Sequence, residues 1–133
     1  NEAEQSLEEK ARESLETAMR HEQEAPAKFL VAWKKGVNKV GHQYFRIDSG
    51  ISVDEAPSKE ALQPNWEAIN SIFTALSSGE QALLSLMYSF YDSVDGQKLL
   101  ERSGKTNFVD AIAAMDCAGQ KIIAELCAYY TGW

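Results

Sequence analysis

Residues 77–91 read SSGEQALLSLMYSFY, and this segment predicts the helix at the centre of an all-α protein. Ser77 is followed three residues later by Glu80, which is the capping-box pattern with which many helices begin. The apolar side chains that follow occupy more than one face of the helix: Leu83, Leu84, Leu86, Met87, Phe90 and Tyr91. A helix that is apolar most of the way round is buried on most sides. We therefore predict a central helix from Ser78 to Tyr91.

The flanking segments predict further helices that pack around this one. Asp95-Gly96 predicts a turn before a short helix over 97–102. Thr106 predicts the cap of a last helical stretch, and Asp116 predicts a second helix start within it. On the other side, a helix is predicted to begin near Pro64, because proline is tolerated in a first turn. The predicted core consists of Trp33, Val37, Trp66, Ile69, Phe73, Leu83, Leu84, Met87, Phe90, Ile112, Ile122 and Leu126.

The segment 27–47 carries apolar residues spaced three and four apart, which favours a helix over a strand. These residues are Leu30, Trp33, Val37, Val40, Tyr44 and Ile47. On such a helix four basic residues point within roughly 20° of one common direction and away from the apolar face, because successive residues turn by about 100°. The four residues are Lys28, Lys35, Lys39 and Arg46. The pattern therefore predicts a basic stripe.

Residues 2–23 predict an acidic helix with one narrow apolar stripe, which includes Leu7, Ala11 and Leu15. Pro26 is predicted to end or interrupt this helix. We expect a single compact helical bundle of about five helices with an extended, acidic, amphipathic N-terminal helix. The boundary falls between that helix (1–24) and a helical core domain (25–133).

Charge is unevenly distributed along the chain. Residues 1–24 have a net charge of −5, residues 28–46 of +5, and the remainder of −7, which gives −7 overall. Such asymmetry concerns partners and solubility more than fold. The negative total argues against nucleic-acid binding by the molecule as a whole. No apolar run approaches the ~18 residues of a membrane span, so no membrane partner is expected.

The sequence contains no recognisable catalytic set, metal motif or cofactor motif, so no catalytic residue, metal ligand or cofactor is predicted. His21 lacks the second histidine four residues on that a metalloprotease helix would need, since Ala25 stands there. Cys117 and Cys127 are ten residues apart, about 15 Å on a shared helix, which is too far for a disulfide. Together with the lack of a signal-like segment, this predicts a cytoplasmic protein.

These observations favour a non-enzymatic module that binds proteins or regulates them through charged amphipathic helices. The candidate partner-binding residues are Leu7, Ala11, Leu15, Lys28, Lys35, Lys39 and Arg46. The expected partner is another protein or a second copy of the chain, with a homodimer favoured. Antiparallel pairing of the N-terminal helices and packing on the partner's body both remain open. Nucleic-acid association through the basic 28–46 segment is an alternative, and an enzyme with an unrecognised pocket is a second.

Overall fold

The computed structural model describes all 133 residues and contains six α-helices and no strand. The helices are α1 (Glu2–Val40), α2 (Trp66–Ile72), α3 (Ser78–Tyr91), α4 (Ser93–Arg102), α5 (Phe108–Ala114) and α6 (Cys117–Tyr129). Short 3₁₀ turns lie at His42–Tyr44, Lys59–Leu62 and Phe73–Ala75. The prediction of an all-α bundle is confirmed. None of the helices combines the length and apolarity needed to span a bilayer.

Helix α3 lies at the centre, as predicted, and packs against α1, α4, α5 and α6. Its predicted bounds are confirmed, and the Ser77 hydroxyl accepts a hydrogen bond from the Glu80 amide at 3.2 Å. Seven consecutive residues of α3, from Ala82 to Tyr88, are buried. That run leaves no solvent face in the middle of the helix, which is the packing that its all-round apolar character requires.

The body closes around an aromatic core at the C-terminal half of α1. Trp33 is fully buried, and its indole N–H donates to the Leu62 carbonyl at 2.9 Å. Its ring centroid lies 5.9 Å from that of Phe29 and 4.9 Å from that of Trp133. The predicted core residues are all buried or packed against the core, although Trp66, Phe90 and Ile112 are only partly buried.

Pro26 does not end the first helix, so the prediction of two helices separated there is wrong. Helix α1 runs unbroken through Pro26 to Val40. Proline removes one backbone N–H donor, which leaves the Glu22 carbonyl without its helical partner. Pro26 and Glu22 are both exposed, so water is able to hydrate that carbonyl, while the adjacent Ala25 and Phe29 are held in the core.

The helix predicted over 27–47 ends early, at Val40. Gly41 has φ of 131°, a backbone conformation that suits glycine and stops the helix. The chain beyond it turns and becomes extended, and Phe45 forms an isolated antiparallel bridge with Pro64. Arg46 is therefore not on α1, and the prediction that it continues the basic stripe is wrong.

Two further boundaries near α3 also differ from prediction. Asp95-Gly96 is not a turn but lies within α4, because Asp92 caps that helix by accepting from the Val94 and Asp95 amides. Asn107, rather than Thr106, caps α5. Asp116 begins a separate α6 as predicted, accepting from the Gly119 amide at 2.8 Å.

Candidate functional site

The most prominent surface feature is the N-terminal part of α1, residues 1–24, which we call the arm. Every residue of the arm is exposed, whereas Ala25 is fully buried. At 1.5 Å per residue the helical part of the arm is about 35 Å long. It therefore extends well beyond the body that the remaining residues form.

The arm carries apolar side chains that nothing in the chain covers. Leu7, Leu15 and Met19 are 67%, 60% and 53% exposed. With Ala11 and Ala18 between them they form one row, which we call the stripe. Single exposed leucines are ordinary, but a continuous exposed apolar row is typical of an interaction surface.

The stripe lies on the same side of α1 as the face that packs against the body. Eighteen residues make five turns of an α-helix, so residues 18 apart point in the same direction. Each stripe residue has a buried counterpart 18 positions later: Ala25, Phe29, Trp33, Gly36 and Val37. The exposed stripe is thus an uncovered continuation of an interface that already exists within the molecule.

Helix α6 packs along one flank of this face of α1 and runs antiparallel to it, whereas Trp33 at the centre of the face packs against Phe45 and Trp133. Lys39 pairs with Asp116 at 2.8 Å, near the start of α6, and Lys35 pairs with Glu125 at 3.3 Å. At the end of α6, the Tyr129 ring lies 5.7 Å from the His21 ring. Because α6 ends at Tyr129, the face of α1 before His21 has no covering helix.

Local interactions support the arm as a helix. The Asn1 side chain accepts from the Ala3 and Glu4 amides. Arg12 lies between Glu9 and Glu16, with N–O distances of 3.9 and 4.0 Å. Exposed pairs of this kind contribute only about 0.2–0.5 kcal/mol each. Continuity with the anchored half of α1 therefore matters more, since an isolated helix of this length is marginal.

The predicted basic residues are engaged within the molecule. On α1, Lys28 pairs with Glu24 at 3.2 Å, while Lys35 and Lys39 bind the acids of α6. Lys34 donates to the Asp54 carbonyl at 2.8 Å. With Arg46 displaced from the helix, the 28–46 segment presents no row of free cations. Nucleic-acid association through this segment stays a prediction.

The pair between Lys39 and Asp116 lowers the pKa of the Asp116 carboxyl below its ordinary value of 3.8, chiefly through the hydrogen bond from Lys39 and then that from the Gly119 amide. We expect Lys39→Met to raise this pKa, which carboxyl-detected NMR titration measures. A pKa lowered by folding stabilises the fold above the unfolded pKa, and this stabilisation is lost as pH falls through the folded pKa. Lys39→Met is therefore expected to make the free energy of unfolding depend less on pH in the acid range.

The matched control for this titration is Lys35→Met, which removes the other lysine that α1 directs at α6. Its partner Glu125 lies near the far end of α6, so the pKa of Asp116 is expected to stay where it is in the wild type. Equal shifts in the two variants would contradict the assignment of the hydrogen bond to Lys39.

A cavity of about 230 Å³ lies where α3 and α6 begin, and Lys39, Ser77, Glu80 and Asp116 contribute to its lining. The Ser77 and Asp116 side chains already cap the two helices there. No group of three or more His, Cys, Asp or Glu side chains in the chain is placed to hold a metal ion. The side chains around the cavity therefore include no such group of metal ligands.

Two other titratable groups with shifted pKa values reflect burial in the body. Burial, with the Asp95 charge next in importance, raises the pKa of the Tyr88 phenol to about 12. Burial also raises the pKa of the Cys127 thiol, which lowers its thiolate fraction and its reactivity. Neither group lies on the arm.

No family model matches the sequence, and neither a curated protein nor a solved structure resembles the chain significantly. The assignment of a site therefore depends on the geometry of the arm alone.

The structure places the predicted site residues in two separate groups. Leu7, Ala11 and Leu15 share one exposed row on the arm, as their spacing predicts. The basic residues lie on the body or at its edge and do not join that row. The alignment of the stripe with the buried face of α1 was not predicted. The signal for it in the sequence is the recurrence of apolar residues 18 positions apart.

Proposed function

We propose that the protein is a non-enzymatic protein-binding module and that the stripe on its arm is the contact surface. The observation that carries the proposal is an apolar row, more than half exposed at its three large side chains, on a helix that extends beyond the body. Burying Leu7, Leu15 and Met19 would contribute about 1.5–3 kcal/mol each. The proposed partner is another protein or a second copy of the chain.

The acidic character of the arm supports this proposal. Charges around an apolar contact orient the encounter and exclude unsuitable partners more than they add affinity. The arm's net charge of −5 therefore acts as a filter on what reaches the stripe. A reducing, cytoplasmic setting remains part of the proposal and is supported by Cys117 and Cys127, two thiols that form no disulfide.

Site-specific photo-crosslinking tests the proposal. A photoreactive benzophenone amino acid at Leu15 is expected to give covalent adducts in cells that make the protein, because the side chain lies within the contact surface. The same group at Thr17, which points about 200° away on the helix, is the matched control and is expected to give none. Adducts are identified by mass spectrometry. Equal yields from the two positions, or none from Leu15, would remove the arm as the contact element.

A pair of double variants then connects binding to the stripe. Leu7→Glu with Leu15→Glu is expected to abolish the adduct while the melting temperature stays within about 2 °C, since exposed substitutions usually change stability by less than about 0.5 kcal/mol. Ser6→Glu with Thr17→Glu adds the same charge outside the stripe and is expected to preserve the adduct. For these variants the benzophenone is placed at Met19.

A further inference from the structure

We propose that the stripe is covered by the arm of a second copy of this chain, antiparallel to the first and centred near Ala11. This inference rests on the proposed function and names its partner. Three independent features of the arm support it: its position relative to α6, the spacing of its large residues, and the spacing of its charges.

The first feature is the space that α6 leaves uncovered. Helix α6 runs antiparallel to α1 and ends at Tyr129, at the level of His21. A helix placed beyond Tyr129 and antiparallel to α1 would lie beside the length of α1 that has no neighbouring helix. An arm pair centred near Ala11 has this geometry, since position 1 of one arm then lies opposite positions 20–21 of the other. Each arm would lie beside the part of the other copy's α1 that has no neighbouring helix.

The second feature is the symmetry of the large side chains. Leu7 and Leu15 lie four residues on either side of Ala11. An antiparallel pair centred at Ala11 therefore places Leu7 of one copy opposite Leu15 of the other, twice. The small alanine at the centre permits the two helices to approach closely where they cross. A parallel pair would instead place each residue against its own copy.

The third feature is the position of two charges on one flank of the stripe. At about 100° per residue, Glu8 and Arg12 lie within about 40° of each other on the same side of the leucines. In the pair centred at Ala11, position 8 lies opposite position 14, so Glu8 of each copy lies within one helical turn of Arg12 of the other. In a parallel pair the same flank of the two helices lies on opposite sides of the contact, so Glu8 and Arg12 would not meet across it.

The net charge of the arms gives this dimer a diagnostic salt dependence. Each arm has a net charge of −5, so two arms repel one another, and added salt screens that repulsion. Self-association is expected to strengthen as salt rises. An acidic arm that binds a basic partner would show the opposite dependence.

The body offers one competing surface for the arm of a second copy. Phe108 and Val109 are 51% and 72% exposed, beside a small cavity of about 170 Å³ that is lined partly by Leu86 and Tyr130. That surface belongs to α5 on the body, and the arm pair does not use it. Val109→Glu is therefore expected to leave the dimer intact. If the Val109→Glu protein is monomeric, the contact lies on the body, and the antiparallel arm pair is overturned.

Sedimentation equilibrium of the purified full chain is the primary test. The wild type is expected to be dimeric at micromolar concentration, with a dissociation constant that falls as salt is raised from about 0.05 to 0.5 M. Leu7→Glu with Leu15→Glu is expected to raise the dissociation constant at least tenfold, whereas Ser6→Glu with Thr17→Glu keeps the dimer. A wild type that stays monomeric at high micromolar concentration overturns the proposal. If Leu15 nevertheless crosslinks to a different protein, the proposed function stands.

Single cysteines then test the direction of pairing, in a background with Cys117→Ser and Cys127→Ser. Ala11→Cys is expected to form a disulfide-linked dimer at least tenfold faster than Ala3→Cys or Ala18→Cys, because only residues near the two-fold axis meet their own copies. A mixture of Ala3→Cys and Met19→Cys chains is expected to form the mixed disulfide. Comparable rates at positions 3, 11 and 18 would show a parallel pair and overturn the antiparallel arrangement.

Discussion

Replacing Trp33 with alanine is expected to lower the free energy of unfolding by about 3–5 kcal/mol. The side chain is fully buried and stacks on Phe29, so its loss leaves a cavity that the surrounding helices fill only in part. The substitution also removes the N–H that donates to the Leu62 carbonyl. Leaving that buried acceptor unsatisfied adds about 1–3 kcal/mol to the loss of unfolding free energy. Since a domain of this size is stable by about 5–15 kcal/mol, much of the margin would be lost.

Thermal and urea denaturation followed by circular dichroism measure this effect. Trp33→Phe is the first control, because it keeps an aromatic ring but removes the donor, and an intermediate loss is expected. Val31→Ala is the second control. It lies two residues away on the same helix but is 53% exposed, so a change within about 0.5 kcal/mol is expected. A loss for Trp33→Ala no greater than for Val31→Ala would contradict the assigned core.

The fold class was predictable because periodicity and capping agreed over long segments. The helix over 78–91 has a serine cap, an acid three residues later and apolar residues all round, and its observed bounds are those predicted. The second start at Asp116 was predictable for a similar reason, since an aspartate that caps a helix acts locally. Signals of this kind depend only on near neighbours in sequence.

The errors arose where tertiary packing outweighed a local preference. Pro26 is a strong local signal for a helix end, yet α1 continues because Ala25 and Phe29 anchor the next turn in the core. The opposite error occurred over 41–47, where a helical spacing was present. Backbone hydrogen bonds join Tyr44 and Arg46 to the distant segment 63–65 and hold the end of that stretch extended. No local pattern reveals these bonds.

The candidate site was half predictable for the same reason. The narrow stripe with Leu7 and Leu15 follows from the spacing of residues on one helix. The pairing of Lys35 and Lys39 with α6 does not, because Glu125 and Asp116 are 90 and 77 residues away in sequence. A row of lysines that looks free in sequence is therefore a structural contact in the folded molecule.

Gly96 marks the other substitution with a large expected effect, because its Cα lies directly against the Ser89 backbone of α3. A Cβ at position 96 would lie 2.6 Å from the Ser89 Cα and 2.7 Å from the Ser89 backbone nitrogen, distances that packed atoms do not adopt. The Ser89 hydroxyl donates to the Ser85 carbonyl of its own helix at 2.8 Å.

Gly96→Ala is expected to destabilise the protein by a net ~1–3 kcal/mol, although alanine favours helices, because the added atom meets backbone that cannot move without separating α3 from α4. Gly36→Ala is the matched control. Its Cβ would lie 2.6 Å from the Met87 Sδ and Cε atoms, the end of a flexible side chain that is able to turn away. Urea denaturation is expected to show a clear loss for Gly96→Ala and a change within about 1 kcal/mol for Gly36→Ala. Equal effects would mean that the backbone contact at Ser89 does not limit the approach of the two helices.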